Sequence, residues 1–117
     1  MTDQALLRLA AKAAGFEGVI TEYQNGYCEM GLTNHFKLDG SNVWTPLHND
    51  GDALRLAVKL YMDIEILGGA AQITYVMGHD DYRCNVGMNE GDCGGDLCRA
   101  TRRAIVRAAA AIGEQMP

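Results

Sequence analysis

Three groupings of side chains in this chain have types and spacings that could do chemistry. His48, Asp50 and Asp52 lie within five residues, just after Trp44. An imidazole beside two carboxylates is the raw material of a metal or acid–base site. The same acids also suit the start of a helix, where a side-chain oxygen caps free amides and the helix dipole favours negative charge, with about 1 kcal/mol from the cap. We expect capping, with Trp44 and Pro46 fixing the approach. Arg99, Arg103 and Arg107 recur every four residues, with Arg102 one step round the same helix. Their planar donors match phosphate or carboxylate oxygens, so nucleotide phosphates or acidic protein surfaces would be the partners. A solvated outer face opposite a packing face of alanines is the first expectation for such a row, and ligand or partner contact the second. The third grouping is HDDYRCNVGMNEGDCGGD, which carries Asp80, Asp81, Glu90, Asp92 and Asp96. It lacks the calcium-loop order of alternating acids closed by a glutamate. Its Gly94-Gly95 lacks the Lys-Ser/Thr of a phosphate loop and sits among acids that repel anions. A flexible surface loop is expected there, with partner binding as its use.

Arg99, Arg102, Arg103, Arg107, Trp44, His48 and Asp92 are therefore the residues expected to meet a ligand or partner. No catalytic residue, metal or cofactor is expected. Cys28, Cys84, Cys93 and Cys98 do not form the repeated tight pairs of a structural zinc site, and His35, His48 and His79 are scattered. Free thiols are the expectation for a chain made and kept in the cytosol. No Gly-x-Ser-x-Gly element is present, and a lone cysteine without a placed base is weak ground for a nucleophile.

Three helices and two hairpins must position these groups. Thr2 to Ala14 reads as a helix on Leu6, Leu9, Ala10 and Ala13, widened by Leu7 and Ala14, with Thr2 or Asp3 as cap and Gly15 as terminator. Gly18 to Tyr23 and Tyr27 to Leu32 read as a hairpin joined by a type I′ turn at Asn25-Gly26. Thr33 to Asp50 shows neither period, and Trp44 and Leu47 are expected to pin that long loop to the core. A second helix follows, capped by Asp50 or Asp52. Its expected buried face is Leu54, Ala57, Val58 and Tyr61, broadened by Leu56 and Leu60, with Arg55 and Lys59 on the wet side. Asp63 to Leu67 and Gln72 to Met77 form a second hairpin about Gly68-Gly69, and a short strand is expected at Tyr82 to Val86. Asp96 caps a last helix from Leu97 to about Glu114, with Leu97, Ala100, Ala104, Ala108 and Ala111 as a small-residue face.

The result is an α+β domain: an antiparallel sheet of two hairpins, four or five strands in all, covered by three helices in an alpha-beta-alpha sandwich-like build. The 117 residues suit one domain, and 48% hydrophobic with 21% charged residues excludes a disordered or fibrous class. A net charge of -5 disfavours nonspecific nucleic-acid or membrane-surface binding. No apolar run reaches a membrane span, and the N-terminus has no basic leader, so a cytoplasmic protein is expected.

WTPLHNDGDALRLAVKL (44–60) and ATRRAIVRAAAAIG (100–113), with the opening LLxLAAKAAG type of helix and its hairpin, resemble the phage alpha-beta-alpha sandwich domain family of small phage and prophage proteins. The segment Gly78 to Gly95 departs from the family pattern, so nothing transfers to it. The resemblance implies a phage accessory protein with a helix-sheet-helix build in the host cytoplasm, and brings no catalytic residues. The leading expectation is a non-enzymatic accessory protein that binds a host or phage protein, with counter-defence as its purpose. The alternatives are a nucleotide-binding or sequestering protein using Arg99, Arg103 and Trp44, and a small metal-dependent hydrolase.

Overall fold

A computed structural model describes residues 1–37 and 40–117, with Asp92 described by its backbone alone. Helix α1 (Asp3–Ala14) starts where the Thr2 hydroxyl accepts the Ala5 N–H at 3.1 Å, and ends where Gly15 turns left-handed at φ 77°. Phe16 N–H then bonds back to the Ala11 carbonyl, the usual closure after a left-handed cap. Strands β1 (Gly18–Glu22) and β2 (Cys28–Leu32) pair antiparallel from Gly18↔Leu32 to Glu22↔Cys28. Their link is not the expected type I′ turn. Only Gly26 takes positive φ, at 84°, while Gly26 N–H bonds the Tyr23 carbonyl. The Asn25 side-chain oxygen accepts the Tyr27 N–H at 3.0 Å, which holds Asn25 in ordinary backbone and makes a three-residue link closed by a left-handed glycine.

The aperiodic loop is pinned as expected. Val43 and Trp44 form β3 (Val43–Trp44), which pairs with β2 at Met30↔Trp44, and both Trp44 and Leu47 are buried. Helix α2 (Asp50–Lys59) is capped by Asn49, not by Asp50 or Asp52: the Asn49 Oδ1 accepts the Asp52 N–H at 2.8 Å. Its buried face is also different. Ala53, Leu56 and Ala57 pack inward, while Leu54, Val58 and Tyr61 face solvent. Apolar residues fill one wide arc of this helix, from Leu56 through Ala53 and Ala57 to Leu54 and Val58, so period alone does not fix its roll; the part that faces inward is the part beside the buried Asp52.

Strands β4 (Asp63–Leu67), β5 (Ala70–Met77) and β6 (Asp80–Gly87) make a second antiparallel sheet in that order. Much of the supposed surface loop is thus a full strand, paired from Ala70↔Gly87 to Met77↔Asp80. Tyr82, Cys84 and Val86 alternate toward the buried face that Ile73 and Ala71 share, a period-2 signal diluted by glycine and acids on either side. A short 3-10 turn (Gly91–Cys93) leads to helix α3 (Leu97–Gln115), capped by Asp96 through the Arg99 N–H at 3.1 Å.

The α+β class, the antiparallel pairing and the three helices among the described residues are as the sequence implies; the strands among those residues number six and divide into two sheets of three, where one sheet of four or five was expected. Helix α3 touches α1, α2, β5 and β6. Ala100, Ala104, Ile105, Val106, Ala108, Ala109 and Ala110 are all buried, so small residues serve several faces of α3 and not one. Among the described residues no helix is long and apolar enough to cross a membrane.

Candidate functional site

The trio His48, Asp50 and Asp52 does not converge. Asp50 receives Arg102 Nη1 at 2.6 Å. His48 stacks on Tyr27, with ring centroids 4.4 Å apart, and its Nε2 accepts the Cys28 N–H at 3.5 Å. Burial pushes the His48 imidazole below its ordinary range; Asp3 opposes the shift, and Arg102, Arg99 and Arg103 add to it. Asp52 is wholly buried. Its Oδ2 accepts the Thr45 N–H at 3.0 Å, and its Oδ1 takes Arg55 Nη2 at 2.7 Å and Lys37 Nζ at 3.3 Å. Among the described residues no group of three metal-ligating side chains is gathered.

The arginine row is not a simple solvated face. Arg102 bonds the Leu47 carbonyl at 2.9 Å as well as Asp50, and Arg103 grips both oxygens of Asp3 at 3.1 and 3.2 Å. Their side chains keep only 14% and 12% exposure. Arg107 meets Glu90 at 3.0 Å, which holds the Glu90 carboxyl below its usual range, assisted by the Gly87 N–H. Arg99 is exposed on the first turn of α3. Arg102, Arg103 and Arg107 tie α3 to Leu47 and the start of α2, to α1 and to the loop after β6, because each meets an acid brought in by another element. The side chain of Asp92 lies outside the described residues.

Trp44 leads elsewhere. It forms part of a cleft of about 240 Å³ lined with Phe16, Leu32, His35, Phe36, Lys37, Asp52, Arg55, Leu56 and Lys59. The arginines of α3 do not line it. Phe16 sits edge-on to Trp44 at 5.1 Å and stacks on His35 at 4.9 Å, while Lys59 Nζ lies 5.0 Å from the Phe16 centroid. Such cation–ring contacts are worth about 0.5–1 kcal/mol at exposed sites. Three cations and one carboxylate line the cleft, in a protein whose overall charge is -5. Asp52 holds Lys37 and Arg55 in place, and Lys59 has no anionic partner among the described residues.

Sequence reasoning had Trp44 and missed the rest of this cleft. Arg55 and Lys59, four apart, were legible as one exposed stripe of α2. Nothing in the spacing shows that Phe16, Phe36 and Lys37 come to meet them, because each arrives from a different connection. Comparison with protein-family models, curated proteins and solved structures finds no match.

Proposed function

We propose that the protein acts by binding, and that the cleft takes a small planar anion: one ring system carrying a carboxylate or phosphate, with a nucleoside monophosphate at the upper limit of size. The observation that carries this reading is the excess of cations over a ring-lined floor. A ring inserted against Phe16 and Trp44 gains about 0.5–1.5 kcal/mol beyond its area burial, and an anionic group gains charge-assisted bonds from Arg55 and Lys59. The cleft lies below the roughly 300–1,000 Å³ common for ligand sites, which favours one ring over a dinucleotide. Its one carboxylate is spent on Thr45, Lys37 and Arg55, which supports binding over acid–base work.

Thermal unfolding with a panel of adenosine monophosphate, guanosine monophosphate, nicotinate and salicylate tests the reading. One planar anion should raise Tm, with about 2.7 kcal/mol of stabilisation at a hundredfold excess over Kd. The shift should vanish in Lys59→Ala and Arg55→Ala. No shift with any member, or a shift that both variants keep, would overturn it.

A second reading is that the chain is a phage accessory protein that engages a host protein in the host cytoplasm, in the service of counter-defence. The resemblance of residues 44–60 and 100–113 supports the setting. One structural observation favours a protein contact: every residue of β4 is exposed, including three large apolar ones.

A further inference from the structure

The outer rim of the β4-β5-β6 sheet is half covered on one face, exposed on the other, and without a pairing strand along its edge among the described residues. Ile64 and Ile66 pair in register with Ile73 and Ala71, which are wholly buried, and so share their face. Yet they keep 38% and 49% of their surface, because α3 covers the sheet centre and stops short of this rim. Beside them runs an almost wholly apolar groove of about 340 Å³, with Leu54 and Ala53 on one wall and Leu97 and Ile105 on the other. On the opposite face Asp63 and Glu65 are exposed, and neither has an ion-pair partner among the described residues.

The backbone adds direction. Leu67 and Ala70 flank a two-residue turn in which Gly68 has φ 60° and Gly69 does not take positive φ, as in a type II′ hairpin. The pair flanking such a turn exchanges both ladder bonds, and bonding alternates from there. Asp63, Glu65 and Leu67 therefore bond inward to β5, and the N–H and C=O groups of Ile64 and Ile66 point out of the sheet. No backbone bond beyond the ladder reaches them among the described residues. Edges of this kind are ordinarily blunted by charge, proline or a bulge; β4 has no proline or bulge, and its charge is acidic alone, which guards against acidic strands and not basic ones.

We propose that β4 is a docking edge for an extended segment of a partner protein that alternates apolar with basic residues, joining the sheet as a fourth strand. This deepens the accessory-protein reading and rests on it, giving that reading a surface and a chemistry. The added backbone pairs with Ile64 and Ile66, its apolar face covers them and enters the groove, and its basic face meets Asp63 and Glu65. The acids decide the occupant. A second copy paired through β4 about Glu65 would set two glutamates side by side, and one paired about Ile66 would leave all four acids without a cation. Charge complementarity selects a basic strand and rejects an acidic one.

The test uses the full chain, labelled with 15N, and three capped seven-residue peptides: alternating lysine and valine, alternating glutamate and valine, and a scramble of the first. The lysine–valine peptide should bind saturably, shift the amides of residues 63–67 and protect those of Ile64 and Ile66 from exchange. The glutamate peptide should not bind. Glu65→Lys should weaken binding about five-fold, the scale of one cross-strand charge pair. Ile66→Pro should abolish it, because the N–H lost there points away from β5 and the fold is kept. No binding of the lysine–valine peptide, equal binding of the glutamate or scrambled peptide, or binding unchanged in both variants overturns the proposal. Self-association that protects Ile64 and Ile66 overturns the choice of occupant. A host protein retained equally by the parent chain and by Ile66→Pro overturns the β4 edge and leaves the accessory reading standing. Peptide binding with no host protein retained by either form supports the edge and sinks that reading.

Discussion

Asp52 is a carboxylate shut away from water, held by Thr45, Lys37 and Arg55. Breaking a buried pair leaves charge or polarity uncompensated, and Asp52→Asn should cost about 3 kcal/mol, the low end of the range because Arg55 can turn to solvent. Urea unfolding would show the loss as a lower midpoint at unchanged slope. The sequence marks Asp52 as a first-turn acid of α2, but its burial depends on Lys37 and Thr45, whose positions are set by a loop without period. His48 makes a pH prediction of definite sign. Its folded pKa lies below the unfolded value of about 6.5. The unfolded chain therefore takes up the proton first on acidification, and the contribution of neutral His48 is full above that pH and declines as pH falls toward the folded pKa. Between pH 7.5 and 5.5, Tm should drop less steeply in His48→Gln than in the parent, and equal slopes would refute this. Tyr61 stands at φ 55° with 90% of its surface exposed. Asparagine adopts that backbone more readily, so Tyr61→Asn should raise stability by up to about 1 kcal/mol in the same assay.

Helix α3 shows how far an element's pattern carries. Its length, its Asp96 cap and its alanines are all legible in the sequence. The role of its arginines is not, because four-residue spacing shows that they share a side and not what that side meets. Asp3 lies a hundred residues away in the chain and still receives Arg103 through two bonds. Arg103→Glu would set two carboxylates together and remove both bonds, at about 2 kcal/mol. Circular dichroism melts would detect this as a clear fall in Tm, whereas an unchanged Tm would return Arg103 to the solvated face. The same limit applies to α2, whose apolar arc is wider than the face it buries, so the spacing leaves open which part of that arc turns inward. In β6 the alternation of Tyr82, Cys84 and Val86 was readable, but the acids and glycines flanking it hid the full extent from Asp80 to Gly87.

Taken as a whole, the molecule is organised about the crossing of its first and last helices. A Cβ at Gly113 would collide with the Leu9 carbonyl, so α1 and α3 approach to backbone contact there. Gly113→Ala should force them apart at about 1–3 kcal/mol. The long connection from β2 to α2 is held by Trp44 and Leu47, and alanine at either should cost about 2–5 kcal/mol in equilibrium unfolding. Those two anchors were legible as side chains too apolar for a loop; the division into two sheets was not, since strand order depends on contacts between distant parts of the chain. The α1–α3 crossing also has a temporal consequence. Helix α1 is made before every other element of this fold, and its principal partner α3 is made after them, so contacts between chain neighbours cannot close this domain. The apolar stripe of Leu6, Leu7 and Ala10 therefore stays without its main cover until α3 has been made, and closing this crossing is a late, non-local step in folding.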